Sequence, residues 1–138
     1  MGNVPEHLWR FPTKEARMGL AKRFNLPYDD AMQDWEWEVS NSERIDEFLE
    51  VYESGILTED ERFILMETIL QSFEDLEFEL AQDKRWLRAT RYINENIELH
   101  IYTLWYWATG DFHIMPYLKN LFERHRPHFA VHRLRSLN

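Results

Sequence analysis

Apolar residues recur along this chain with two different periods, and the periods predict its elements. Thr13 stands before a run in which Leu20, Ala21 and Phe24 share one helical face, and Asn25 and Pro27 end it. A second helix is predicted from Ser42, where Ile45, Phe48, Leu49 and Tyr52 repeat at helical spacing and Gly55 marks the stop. Thr58 and Glu61 form the two ends of a capping box, Thr-x-x-Glu. The helix it opens carries Leu65, Met66, Ile69, Leu70, Phe73, Leu76 and Leu80 inward, with Glu59 and Asp60 at the positive end of its dipole. Between the first two helices the period changes. Trp35, Trp37 and Val39 alternate with Asp34, Glu36 and Glu38, which predicts a short extended segment, half-buried, with three carboxylates on its outer side.

The longest periodic stretch covers residues 84–109. Trp86, Thr90, Ile93, Ile97, Ile101, Leu104 and Ala108 keep one face, and Arg85, Arg88, Arg91, Glu95 and Glu98 take the other. Gly110 is placed to close this helix in the left-handed conformation, and a last helix follows Pro116. Near its end the long helix is apolar almost all round. Ile101, Leu104, Trp105 and Ala108 belong to the core stripe, while Leu99, Tyr102 and Tyr106 point away from it. That second face is either covered by the last helix or is a partner or dimer surface. The expected centre of the core is Ile69, Phe73, Ile97, Ile101 and Leu104, the middle members of the two best stripes. The fold class that follows is all-α: about five helices packed as an irregular bundle, with one short extended segment, in a single domain of 138 residues.

Charge changes the picture more than composition does. The net charge is -9, but residues 29–83 hold 19 Asp/Glu against only Arg44 and Arg62, a net of -17, while both flanks are basic. Such a middle is a solvated surface, a dock for the basic ends, or a steering field for a basic partner. Like charge argues against free nucleic acid there. Absence of cysteine excludes disulfides and thiolate zinc sites. The start of the chain has no apolar run of the kind a secretory signal needs, and the longest apolar run, LWYWA, is far short of a membrane span. We therefore expect a cytoplasmic protein with no membrane contact.

Two clusters could carry chemistry. His100, Asp111 and His113 could bind a metal or exchange protons as a small metal-binding protein or hydrolase would, although Asp111 also suits a cap for the turn after Gly110. His125, His128 and His132 could approach zinc, but Pro127 breaks the spacing and no carboxylate completes a ligand box. The same stretch holds Arg124, Arg126, Arg133 and Arg135, so residues 126–138 read as a basic tail, either mobile or docked on the acidic middle. There is no GxSxG elbow, no phosphate-cradling glycine loop, no HExxH and no Glu-x-x-His. No metal or other cofactor is expected.

Over residues 26–108 the chain resembles a set of small bacterial proteins of uncharacterised activity. The shared features are Asp–(Trp or Tyr)–Glu–x–Glu–Val, the capped helix with Glu–Arg–Phe–x–Leu–Met, and the late Tyr- and Trp-rich segment LHIYTLWYWA. In size and acidity it is also similar to bacterial toxin-immunity proteins, a likeness of shape and charge that transfers no catalytic residue. The expectation is a non-catalytic interaction protein, immunity or antitoxin-like. A basic partner would lie against Asp34, Glu36, Glu38, Glu43, Glu47 and Glu50, with Leu99, Tyr102 and Tyr106 as the apolar part of the contact. A homodimer joining acidic middle to basic ends is the other arrangement these charges allow.

Overall fold

A computed structural model describes residues 5–76 and 79–129. These residues form seven α-helices: α1 (Lys14–Phe24), α2 (Trp35–Glu38), α3 (Ile45–Glu53), α4 (Glu59–Glu74), α5 (Lys84–Glu95), α6 (Ile97–Thr109) and α7 (Met115–Arg124). Two 3-10 turns, Glu6–Leu8 and Ser42–Arg44, complete them, and no strand occurs among the described residues. The all-α class is as expected; the number of elements is larger than about five. No helix among the described residues is long and apolar enough to cross a membrane.

The caps follow local chemistry. Thr13 accepts the amide of Ala16, and Asn25 closes α1 in the left-handed conformation at φ 56°. Thr58 and Glu61 form the full capping box of α4. Gly55, at φ 77°, turns the chain between α3 and α4, where a side chain would be strained.

α4 is the hub. It packs against α1, α2, α3 and α6, with a lighter contact to α5. Residues 63–70 are consequently all buried, so its inward face is wider than one stripe. α6 lies against both α5 and α7. Core side chains come from every α-helix, with Trp35, Phe48, Phe63, Phe73, Leu104 and Trp107 almost fully enclosed.

Three expectations are corrected. The alternating stretch is not extended but the single helical turn α2. Three tertiary hydrogen bonds fix it: Trp35 Nε1 donates to Pro27 O at 2.7 Å, Trp37 Nε1 to Glu67 Oε1 at 3.0 Å, and Thr68 Oγ1 to Glu36 O at 2.8 Å. Alternation over six residues fits a helical turn that buries positions 35, 36 and 39 equally well.

The second correction concerns residues 84–109, which form two helices. Asn96 leaves the helical region at φ -119°, ψ 44°, and its side-chain amide donates to Tyr92 O at 3.1 Å. Asparagine competes with the helix ladder in this way. The break resets the phase, so α6 buries Leu99, His100, Thr103, Leu104 and Trp107, and Ile97 and Ile101 are only half-buried. Ile69, Phe73 and Leu104 of the expected core are fully enclosed.

Gly110 is the third correction. It is extended, at φ -96° and ψ 176°, rather than left-handed. Glycine is needed there because a Cβ would overlap the Phe112 ring. α7 then starts on a cap from elsewhere in the chain. The Glu74 carboxylate accepts the amides of His113 at 2.9 Å and Ile114 at 3.0 Å, the task sequence reasoning gave to Asp111.

Candidate functional site

The three carboxylates expected on the outer side of the 34–39 segment do not share one face, and the six expected to meet a partner are not all exposed. Asp34 and Glu38 are exposed on α2, and Glu43, Glu47 and Glu50 are exposed on or just before α3. Glu36 is buried, because the helical turn points it at α1, where Arg17 grips it through Nε at 2.9 Å and Nη2 at 3.2 Å. Burial raises the Glu36 carboxyl above its usual range despite that guanidinium. It joins α1 to α2 and leaves little of its carboxylate open to a partner. Glu47 is held by Arg44 at 2.8 Å, and the guanidinium holds its carboxyl below the usual range.

The basic flanks fold back on the acidic middle. Arg10 reaches Asp60 at 2.9 Å, Lys14 reaches Asp30 at 3.2 Å, and Arg88 reaches Glu53 at 2.8 Å. Even so, Asp34, Glu38, Glu43 and Glu50 have no cationic side chain within 4 Å among the described residues.

One of the three residues expected on the apolar face is interior and two are half-buried. Leu99 is buried, and the shift in helix phase at Asn96 is the reason. Tyr102 and Tyr106 are half-buried; Tyr102 meets the Phe63 ring edge-on and Tyr106 stacks on Trp37 at 5.5 Å. These three residues serve packing between α6, α4 and α2.

The histidine cluster is not assembled. His100 lies at the start of α6 with no exposed surface, whereas Asp111 is exposed beyond the end of that helix. About nine residues of helix, roughly 13 Å of axis, separate the two ends. No group of three or more His, Asp or Glu with metal-binding geometry occurs among the described residues. His125 is buried against α5, with Nε2 2.8 Å from Asn94 Oδ1, and its ring is 5.3 Å from that of His128. Of the expected tail, residues 126–129 continue in helical conformation, and Phe129 is buried against Trp105 and Phe122. His132, Arg133 and Arg135 lie outside the described residues.

Two buried polar centres escaped sequence reasoning. In the first, Tyr52 Oη of α3 and His100 Nε2 are 2.7 Å apart, and His100 Nδ1 has no partner among the described residues. Burial, helped by the positive charges of Arg62 and Arg10, lowers the imidazole to about 3. Burial also raises the Tyr52 phenol to about 12. In the second, Glu67 Oε1 accepts the indole N–H of Trp37 at 3.0 Å and of Trp107 at 3.1 Å, while Oε2 and the neighbouring Thr103 hydroxyl have no hydrogen bond among the described residues. Burial pushes the Glu67 carboxyl up, and the nearby Thr103 hydroxyl and the two indole N–H groups pull the other way. The one signal in the sequence was a lone carboxylate inside the apolar run FILMETIL.

No family model, no curated protein and no solved structure matches this chain.

Proposed function

We propose that this is a non-catalytic acidic binding protein, of the immunity or antitoxin kind, whose exposed α2–α3 carboxylates hold a basic protein partner. The observation that carries the reading is the set Asp34, Glu38, Glu43 and Glu50. Each is exposed and has no cation within 4 Å among the described residues, although the basic flanks neutralise acids close by in sequence. Uncompensated charge of one sign costs stability through self-repulsion, and a partner of opposite charge offsets that cost while speeding encounter. Arg44, the only cation between residues 29 and 61, is engaged by Glu47. Glu36 and Leu99 drop out of the contact, and Glu47 is already paired with Arg44. His100, buried and far from Asp111, gives the metal or hydrolase reading no support in the geometry.

The test uses a cationic protein encoded beside this chain, purified and titrated against it across ionic strengths. Changing Asp34 to Asn and both Glu38 and Glu43 to Gln should slow association about tenfold at low salt. The salt dependence should flatten, and the helical circular dichroism should stay unchanged. An on-rate and salt dependence equal to those of the unaltered chain would overturn the proposal.

A further inference from the structure

α5 and α7 both rest on α6 but touch each other only lightly, which leaves a groove of about 490 Å³ between them. Its floor is apolar: Trp86, Leu87, Tyr117 and Leu121 line it, and Leu87 is 53% exposed. Arg91 and Arg124 stand on it, and among the described residues no carboxylate lines it, in a chain of net charge -9. Arg124 has no carboxylate within 4 Å among the described residues, and the Arg91 contact to Glu95 is long, at 4.0 Å, with both side chains more than half exposed. Arg91 also donates to the Tyr92 hydroxyl at 3.2 Å, but neither guanidinium is held by a carboxylate closer than 4.0 Å among the described residues. With the apolar floor they fit a segment that presents an apolar side chain beside carboxylates.

This chain carries such a segment. The turn between α3 and α4 projects Ile56, 58% exposed, with Glu50 on the preceding helix and Glu59 on the first turn of the next. Neither carboxylate has an ion-pair partner within 4 Å among the described residues. Gly55 at the apex, in the left-handed conformation, keeps the turn tight. None of Ile56, Glu50 and Glu59 lines the groove of its own chain.

We infer that the α5–α7 groove is a docking site for a second copy of this chain, which inserts its α3–α4 turn, Ile56 on Leu87 and Trp86, Glu50 and Glu59 facing Arg91 and Arg124. The contact is head-to-tail: it joins two different patches and closes as a reciprocal pair or extends. It shares Glu50 with the acidic binding face but goes beyond it, because the groove belongs to neither α2 nor α3 and Ile56 and Glu59 lie outside that face.

Sedimentation velocity and light scattering on the full chain across a concentration series test it. The mass should rise with concentration and fall back as salt is added. Ile56→Ser and Arg124→Glu should each weaken the association at least ~10-fold, with unchanged circular dichroism. Glu59→Lys should do the same alone, and mixing it with Arg124→Glu should restore association that neither variant shows by itself. The change of Asp34, Glu38 and Glu43 to amides should leave self-association intact, so failure here and failure of the basic-partner reading are separable. A chain that stays monomeric at the highest attainable concentration, variants that associate as the unaltered chain does, or a charge-swapped mixture that stays apart would each overturn the inference.

Discussion

At the start of α6, His100 is buried against Tyr52 of α3; two turns later on the same helix, Trp107 is buried against Glu67 of α4. Both centres put an ionisable side chain in the interior without a partner of opposite charge. They meet the cost of desolvation from opposite sides. His100 stays neutral by losing its proton, its imidazole lowered to about 3 by burial and by nearby arginines. Glu67 is pushed toward keeping its proton, its carboxyl raised by burial even with two indoles and a hydroxyl beside it. The low dielectric of a core disfavours charge of either sign, so α6 holds at one end its own group that resists acid and packs at the other against a group of α4 that resists base. The difference also sorts their links. The histidine joins α6 to α3 through one hydrogen bond, whereas the glutamate gathers α2, α4 and α6 through two.

The largest effect should come from the glutamate centre. Trp107 is 1% exposed and supplies both a large apolar surface and one of the two N–H donors. Trp107→Ala should therefore cost about 3–5 kcal/mol in urea unfolding. Tyr52→Phe, which removes only the hydroxyl facing His100, should cost about 1–3 kcal/mol for the unpaired ring nitrogen it leaves. If the two variants lost equal stability, the two centres would not differ in the way their links suggest.

How much of this could be read beforehand depends on range along the chain. Thr13, Asn25, Gly55 and Thr58 act through neighbours within four residues, and each takes the position its chemistry predicts. The stripes of α3 and α4 are likewise local. Of three failures, two come from contacts distant in sequence and one from a local break whose effect propagates. The α2 turn is decided by Pro27, Glu67 and Thr68, as much as 32 residues away in sequence. The Asn96 break shifts every later position, so extrapolating one phase put Ile101 inside and Leu99 outside. Glu36 faced water only if its segment was extended. The candidate surface was legible as charge, because composition survives such errors; which carboxylates remain unpaired was not, since Arg17 meets Glu36 only in the folded chain.

Acidity gives a sharper comparison. The folded histidine lies far below its ordinary 6.5, so its contribution is present above that pH and is lost as pH falls toward 3. The folded glutamate lies above its ordinary 4.5, so its contribution is present below that pH and is lost as pH rises through the folded value. In the window from 4.5 toward 6.5 the two slopes oppose each other. Glu67→Gln should therefore make stability rise more steeply with pH there, and His100→Gln should make it rise less steeply. Each change should amount to about one bound proton or less in the linkage analysis of urea midpoints. Parallel profiles for the two variants and the unaltered chain would show that neither group titrates with folding.

The smallest expected effect sets the scale for the others. Thr58 accepts the amide of Glu61 at 3.1 Å, and Glu61 accepts that of Thr58 at 2.9 Å, on the exposed end of the same α4 that carries Glu67. Thr58→Ala removes one of this pair and leaves the amide of Glu61 to water, so no buried group is orphaned. The cost should be about 1 kcal/mol, and it should not vary with pH across the window in which Glu67 and His100 change. Combined with Glu67→Gln, it should add, because one end of the helix and its middle share no partner. A clear excess over the sum would mean that the capped end and the buried carboxyl are coupled through α4. The glutamate centre would then reach beyond α2 and α6 to the turn that carries Ile56. A cap loss too small to measure would mean instead that packing alone holds the start of α4, and that the surface hydrogen bonds add nothing to it.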